Sequence, residues 1–170
     1  ACVGGGGYAA DTNALGVRSE TGGGVPQDNK TAVKWYTLDA EPAYALDTNN
    51  LGVMYEKGRG VPQDDKTAVK WYTLAAEQGY APAQNNLGVM YEKGRGVPQD
   101  DKTAVKWYTL AAEQGDASAQ YNLGWMYRNG QGVLQDYKTA VKWYRSEDRR
   151  GGNACRSRWS PSPSRTQPTP

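Results

Sequence analysis

Two features of this sequence could carry chemistry: pairs of adjacent aspartates, and the glycine-rich segments in front of them. Asp64–Asp65 and Asp100–Asp101 each follow a segment of sequence GRGVPQ. That segment lacks the G-x-x-x-x-G-K-[ST] spacing of a phosphate-binding loop, and two adjacent carboxylates are too few to hold calcium. An aspartate at the start of a helix caps free backbone N–H groups. We therefore interpret the glycines as a helix-breaking turn and the aspartates as caps, and predict no catalytic residue, metal site or cofactor.

Composition narrows the function classes further. The chain has no histidine, and its only cysteines are Cys2 and Cys155, which removes histidine-dependent triads and a four-cysteine zinc site. No segment approaches the about 20 consecutive apolar residues of a membrane-spanning helix. Lys and Arg number 20 against 18 Asp and Glu, and the positive excess lies in the C-terminal tail. We therefore expect no membrane span and no nucleic-acid partner, because a phosphate-binding surface needs a positive stripe. The cellular compartment is left open.

The sequence repeats itself every 36 residues, and this period decides the fold class. Residues 51–79 and 87–115 are identical. Leucine, tryptophan and glycine recur at the same spacing in four units: Leu15, Leu51, Leu87 and Leu123; Trp35, Trp71, Trp107 and Trp143; Gly24, Gly60, Gly96 and Gly132. Each unit is expected to form one supersecondary element that buries its apolar surface by stacking on its neighbours.

Each unit is predicted to form two antiparallel helices, named helix A and helix B. In the third unit, apolar residues recur at three and four positions from about Ala81 to Lys93, and again from Asp100 or Asp101 to about Gln114. A glycine lies within helix A of every unit, although glycine costs about 1 kcal/mol of helix propensity relative to alanine. We therefore expect a close helix approach at this glycine. The recurring Trp and Tyr of helix B are predicted to be core residues.

The repeated pattern A-x-A-Q-x-N-L-G-x-M-Y-x-x-G-x-G-V-x-x-D-x-x-K-A-x-x-W-Y-x-x-A-A-x-Q-G resembles the Sel1-like repeat (SLR), a relative of the tetratricopeptide repeat. The match covers about residues 43–144, with a weaker copy over 8–40. The resemblance implies an all-α fold, a right-handed α-solenoid of antiparallel helix pairs, and a role as an adaptor that assembles protein complexes. Some bacterial members carry a cysteine pair in each repeat, which this chain lacks.

The two ends of the chain depart from the pattern. We predict one solenoid domain over residues 1–150, with units at about 8–43, 44–79, 80–115 and 116–150. A run of four glycines argues against helix before Tyr8. Glu147 and Asp148 replace apolar residues in the last helix B, which indicates either a polar cap or an end of the repeat. Residues 151–170 are rich in Pro, Ser and Arg and are predicted to be disordered. The missing initiator methionine also suits a fragment of a longer protein, for which a bacterial source is expected.

The candidate binding residues lie on one stripe of helix A, which the family resemblance places on the concave face of the solenoid. The stripe is Asn13, Val17 and Glu20 in the first unit, Asn49, Val53 and Glu56 in the second, and Asn85, Val89 and Glu92 in the third. In the fourth unit it is Tyr121, Trp125 and Arg128, the three residue types that dominate interface hot spots. The alternative is that Trp125 packs under the C-terminal tail or against a missing neighbour.

Together these features predict a non-catalytic, monomeric scaffold that binds a protein or peptide partner on its solenoid surface. The residues predicted to contact the partner are Tyr121, Trp125, Arg128, Asn85, Val89 and Glu92. One alternative is a non-catalytic repeat segment of a larger hydrolase or signalling protein. A more distant alternative is a nucleic-acid-binding repeat array, whose affinity would fall steeply with salt.

Overall fold

The fold is a row of helical hairpins. A computed structural model describes the backbone of residues 6–39 and 44–151 and the side chains of residues 12–38 and 44–145. Within these residues there are eight helices and no strand: α1 Gly6–Thr21, α2 Asn29–Asp39, α3 Ala45–Lys57, α4 Asp65–Glu77, α5 Ala81–Lys93, α6 Asp101–Glu113, α7 Ala117–Asn129 and α8 Tyr137–Gly151. Odd-numbered helices are helix A and even-numbered helices are helix B. The main contacts join helices that are consecutive in the chain, so the predicted α-solenoid is confirmed.

In the repeated units, the predicted aspartate caps and glycines mark the helix ends. The Asp100 side chain accepts hydrogen bonds from the backbone N–H groups of Lys102 and Thr103, at 3.0 and 3.2 Å, and so caps α6. Gly94 ends α5 in the left-handed conformation, at φ 62°, which a glycine adopts without steric cost. Both boundaries agree with the sequence prediction. The first aspartate of the pair is the one that caps the helix.

The first helix begins earlier than the glycine run suggested. α1 starts at Gly6, so the expectation of no helix before Tyr8 is wrong. Extending an existing helix adds one backbone hydrogen bond per residue, which outweighs the low propensity of two glycines at its end. At the other end, α8 continues to Gly151. The remaining residues of the predicted disordered tail, 152–170, lie outside the described part of the chain, as do the side chains of Glu147 and Asp148.

A glycine of helix A and a tyrosine of helix B form the tightest contact of each hairpin. A Cβ added at Gly52 would lie 2.5 Å from Cδ1 of Tyr72, and one at Gly88 would lie 2.6 Å from Cε1 of Tyr108. Both distances are shorter than carbon atoms tolerate, so the predicted close approach is confirmed. The Tyr72 and Tyr108 side chains are fully buried, and burial strongly raises the pKa of each hydroxyl.

The tryptophans of helix B are less buried than predicted. Trp71 and Trp107 are only partly buried, whereas the tyrosine that follows each one is the fully buried aromatic residue. One residue turns the side-chain direction by about 100° around a helix. The tryptophan therefore lies at the edge of the core between successive units: Trp107 packs against a cluster that α4 of the preceding unit and α5 of its own unit form, which contains Tyr72 and Leu87.

The glycine–tyrosine contact predicts that Gly88→Ala destabilises the fold, even though alanine is the better helix former. The added methyl group must displace the Tyr108 ring, and overpacking of this kind costs about 1–3 kcal/mol. Urea unfolding followed by circular dichroism measures the change. Lys106→Ala, on the exposed side of the same hairpin, is the control and should stay within about 0.5 kcal/mol of the parent. An unchanged or higher unfolding midpoint for Gly88→Ala would contradict the close approach.

Candidate functional site

The contacts between successive units determine which residues are left for a partner. Asn86 Nδ2 donates to Asn49 Oδ1 across 3.1 Å, and Asn122 Nδ2 donates to Asn85 Oδ1 across 3.0 Å. These hydrogen bonds join α3 to α5 and α5 to α7. Val89 packs against the core cluster that α6 and α7 form. In the second and third units, one stripe of helix A is therefore partly covered by the next unit. We call this repeated contact the junction.

The junction also contains an arginine, which lies in the loop between helix A and helix B of the following unit and binds carboxylates of the preceding one. Arg95 Nη1 lies 2.9 Å from Glu56 Oε1, and its Nη2 lies 2.8 Å from Asp65 Oδ1. The neighbouring Gly96 allows this approach, because a Cβ there would overlap the backbone carbonyl of Asp65. The third unit thus holds two carboxylates of the second unit with one guanidinium.

The same glutamate links the junction to the hairpin core. The Tyr72 hydroxyl donates to Glu56 Oε2 across 2.7 Å. Burial raises the pKa of the Glu56 carboxyl, but hydrogen bonds from Tyr72 and from two cationic neighbours outweigh it and hold that pKa below its ordinary value. The carboxylate is therefore charged in the folded protein. The first junction carries a simpler version, in which Arg59 Nη1 lies 3.1 Å from Glu20 Oε1.

Three of the six predicted binding residues take part in the internal packing of the solenoid. Asn85, Val89 and Glu92 are partly buried, so part of the stripe on which they lie is already covered within the solenoid. Asn85 accepts the hydrogen bond from Asn122. Glu92 accepts a hydrogen bond from the Tyr108 hydroxyl at 2.6 Å. The internal packing of the solenoid uses these side chains, and their contribution to partner binding stays a prediction.

The junction between the third and fourth units lacks its arginine. Gln131 stands where the second and third units have Arg59 and Arg95. Among the described residues, neither Glu92 nor Asp101 has an ion-pair partner, and Asp101 Oδ1 is buried without a hydrogen bond. We expect this junction to be weaker than the one between the second and third units, which has the arginine.

The fourth unit leaves the junction stripe open. Tyr121 is 52% exposed and Trp125 is 36% exposed, and Arg128 is exposed beside them. The structure therefore brings together the other three predicted residues, on one side of α7. Because Arg128 replaces the glutamate, Tyr144 has no carboxylate at this position, and its ring lies 5.6 Å from the Tyr121 ring.

Two further residues extend this surface, and sequence reasoning did not identify them. Tyr137 and Val141 lie on α8, 36 residues after Asp101 and Val105. Tyr137 is 63% exposed and Val141 is 46% exposed, whereas Val105, which the fourth unit covers, is 9% exposed. The 36-residue spacing was the signal that could have found them. We call Tyr121, Trp125, Arg128, Tyr137 and Val141 the end face.

Comparison with known proteins agrees with this architecture. The family model of the Sel1 repeat matches residues 12–38, 48–80, 81–116 and 117–146. The chain belongs to the Sel1 repeat family. Sel1 repeat proteins are generally non-catalytic scaffolds for protein interactions. Within the described residues, none of the helices combines the length and the apolar character needed to cross a lipid bilayer.

Solved Sel1 repeat structures resemble the chain over most of its length. A protective antigen of uropathogenic Escherichia coli with an SLR fold is 42% identical at a TM-score of 0.81, over 85% of this chain and 31% of that one. A Sel1 repeat protein from Oxalobacter formigenes is 38% identical at a TM-score of 0.77, over 84% of this chain and 59% of that one. Cysteine-rich protein B of Helicobacter pylori, 24% identical over 75% of this chain and 96% of its own, shares the fold at a TM-score of 0.59. The chain therefore spans about a third and three fifths of the first two. The sequence matches no curated protein.

The arginine contacts predict a stability change that depends on pH. Arg95→Gln removes a cation from two carboxylates and should cost about 1 kcal/mol at pH 7. Because the pKa of Glu56 is depressed in the folded state, this stabilisation is present above the pKa of the unfolded chain, about 4.3, and is lost as the pH falls through the folded value. The difference between parent and variant should therefore shrink below about pH 4.

Two control variants separate this effect from general surface charge. Arg59→Gln breaks a more exposed ion pair with one carboxylate and should cost less, about 0.5 kcal/mol. Gln131→Arg restores the missing cation and should stabilise the last junction by about 0.5 kcal/mol. Urea unfolding at several pH values measures all three. An equal loss from Arg95→Gln at every pH, or a destabilising Gln131→Arg, would contradict the role assigned to the arginine.

Proposed function

We propose that this chain is a non-catalytic, monomeric interaction module that binds a protein or peptide partner through the end face. The observation that carries the proposal is the nature of the substitutions there. At junction positions where the third unit has Asn85, Val89, Glu92 and Asp101, the fourth unit has Tyr121, Trp125, Arg128 and Tyr137. A unit that only closed an array would become polar at these positions. These positions gain aromatic residues and an arginine instead, as interface hot spots do.

The other units also favour the end face as the binding site, because their surfaces are too alike to position a ligand. The second and third units share an identical stripe on helix A, and the junctions bury part of it. A repeated surface also gives a ligand no unique register, because the ligand could bind one unit further along. The end face differs from every other unit, which a specific binding site requires. Its exposed aromatic rings supply large contact areas at a low cost in side-chain entropy.

The sequence of the first unit supports the monomer proposal, because it argues against head-to-tail stacking of two copies. The amide donor of the junction, Asn86 or Asn122, corresponds to Ala14 in that unit, and the arginine Arg95 corresponds to Gly23. The first unit therefore cannot form the junction contacts with the end face of another copy. Sedimentation equilibrium should give one mass, that of a single chain, across the concentration range used for binding.

The proposed function predicts that Trp125→Ala weakens partner binding without unfolding the protein. Peptide ligands are first selected from a random display library on the full chain. Truncating a hot-spot residue costs about 2 kcal/mol or more of binding free energy, so the Kd of a selected peptide should rise about 30-fold. The far-ultraviolet circular dichroism and the unfolding midpoint should change little, because the Trp125 side chain is partly exposed.

Leu110→Ala is the matched control for this experiment. Leu110 is an apolar helix residue that is 45% exposed, but it lies on α6, away from the end face. Its replacement should leave the Kd unchanged. The proposed function is overturned if no ligand is selected, if Trp125→Ala binds as tightly as the parent chain, or if Trp125→Ala unfolds the last hairpin.

A further inference from the structure

We infer that the end face receives an amphipathic α-helix of a partner protein, in the place that a fifth helix A would take, and that this helix presents a carboxylate to Arg128. The inference rests on the proposed function and deepens it, because it specifies the secondary structure and the charge of the partner segment.

Continuity with the internal junctions supports a helix as the occupant. α5 packs mainly against α4 and is hydrogen-bonded to α3, and α7 packs mainly against α6 and is hydrogen-bonded to α5. In each case helix A of one unit contacts both helices of the unit before it. α7 and α8 form the same pair and present the corresponding positions, with Tyr121, Trp125 and Arg128 on α7 and Tyr137 and Val141 on α8. The end face thus has the layout that accepts a helix elsewhere in this chain.

The charges of the end face are reversed relative to the internal junctions. Inside the solenoid, Glu56 receives Arg95 from the incoming unit, at 2.9 Å. At the end face Arg128 takes the place of that glutamate, and it forms no ion pair with any described residue. The aspartate that helps to hold Arg95 is replaced by Tyr137. An incoming segment therefore meets a cation and no acid at these positions, and a carboxylate is the group that pairs with it.

The same charges disfavour this chain as its own ligand. A unit like the second or third would bring Arg59 or Arg95 towards Arg128, which places like charges together. The first unit has Gly23 at that position and offers neither charge. Residues 152–170 contain three arginines and no Asp or Glu. A partner protein with an acidic helix complements the end face better than any of these segments.

The size of the end-face side chains further restricts the partner helix. Tyr121 replaces an asparagine and Trp125 replaces a valine, relative to the third unit. Both changes add volume on the side where the next helix packs. An incoming helix can approach as closely as α7 approaches α5 only if it has small residues opposite these rings. We therefore expect Ala, Gly or Ser opposite Trp125 and an Asp or Glu near Arg128.

Selection from two peptide libraries tests this inference on the full chain. The first library contains helix-forming peptides of about 14 residues, long enough for a marginally stable helix, with random residues along one face. The second contains proline-rich peptides of equal length that cannot form a helix. The helical library should yield the tighter ligands, and these should gain helicity when bound. Asp or Glu should be enriched at one position of the selected face.

Parallel selection on Arg128→Glu is the decisive control. Reversing the charge should shift the enrichment at that position from Asp and Glu to Lys and Arg. It should also weaken ligands selected on the parent chain by about tenfold or more. Trp125→Ala should weaken them as well. The chain truncated after Gly151 should bind as the full chain does.

Each contrary result overturns a distinct part of the inference. Ligands drawn only from the proline-rich library, and weakened by Trp125→Ala, overturn the helical occupant but leave the proposed function standing. Selection on Arg128→Glu that still enriches acidic residues overturns the pairing with Arg128. Binding that appears only after truncation shows that residues 152–170 occupy the end face and overturns the partner helix. If Trp125→Ala weakens no ligand from either library, the inference and the proposed function both fail.

Discussion

The structure depends on the contact between a glycine of helix A and a buried tyrosine ring of helix B. Because Gly52 has no side chain, the Tyr72 ring lies against the backbone of α3, where a Cβ would come within 2.5 Å. This contact places the Tyr72 hydroxyl at Glu56. Glu56 in turn binds Arg95 of the next unit, which also holds Asp65. Close packing within one hairpin thus positions the charges that join it to the following hairpin.

The fourth unit shows what changes when one member of this series of contacts is replaced. It keeps the glycine and the tyrosine, but Arg128 stands in place of the glutamate. No carboxylate at that position can therefore accept a hydrogen bond from the Tyr144 hydroxyl. The Tyr144 ring contacts the Tyr121 ring. The substitution removes the group that would bind the arginine of a following unit. It also supplies the cation of the end face, so one change replaces the acid of the internal junctions with a base.

Local signals in the sequence predicted the helices, because their determinants lie within a few residues of one another. Gly94 and Asp100 set helix ends by backbone conformation and capping, and Gly88 indicated the tight helix contact. The direction of the Asn85 stripe could not be predicted in the same way. On a single helix the stripe is polar enough to suggest an exposed side, and the residue that buries it, Asn122, is 37 positions away. Burial there depends on how the units stack, which the sequence of a single helix does not determine.

Hydroxyl-radical footprinting of the free, full-length chain tests the central claim most directly, because it reports the solvent access of every aromatic side chain in one sample. We predict that Tyr121, Trp125 and Tyr137 are oxidised much faster than Tyr72 and Tyr108, which are buried in the hairpins. Equal protection of the end-face residues and of Tyr108 would contradict the account. It would show that the fourth unit is already covered in the free protein and offers no open surface to a partner.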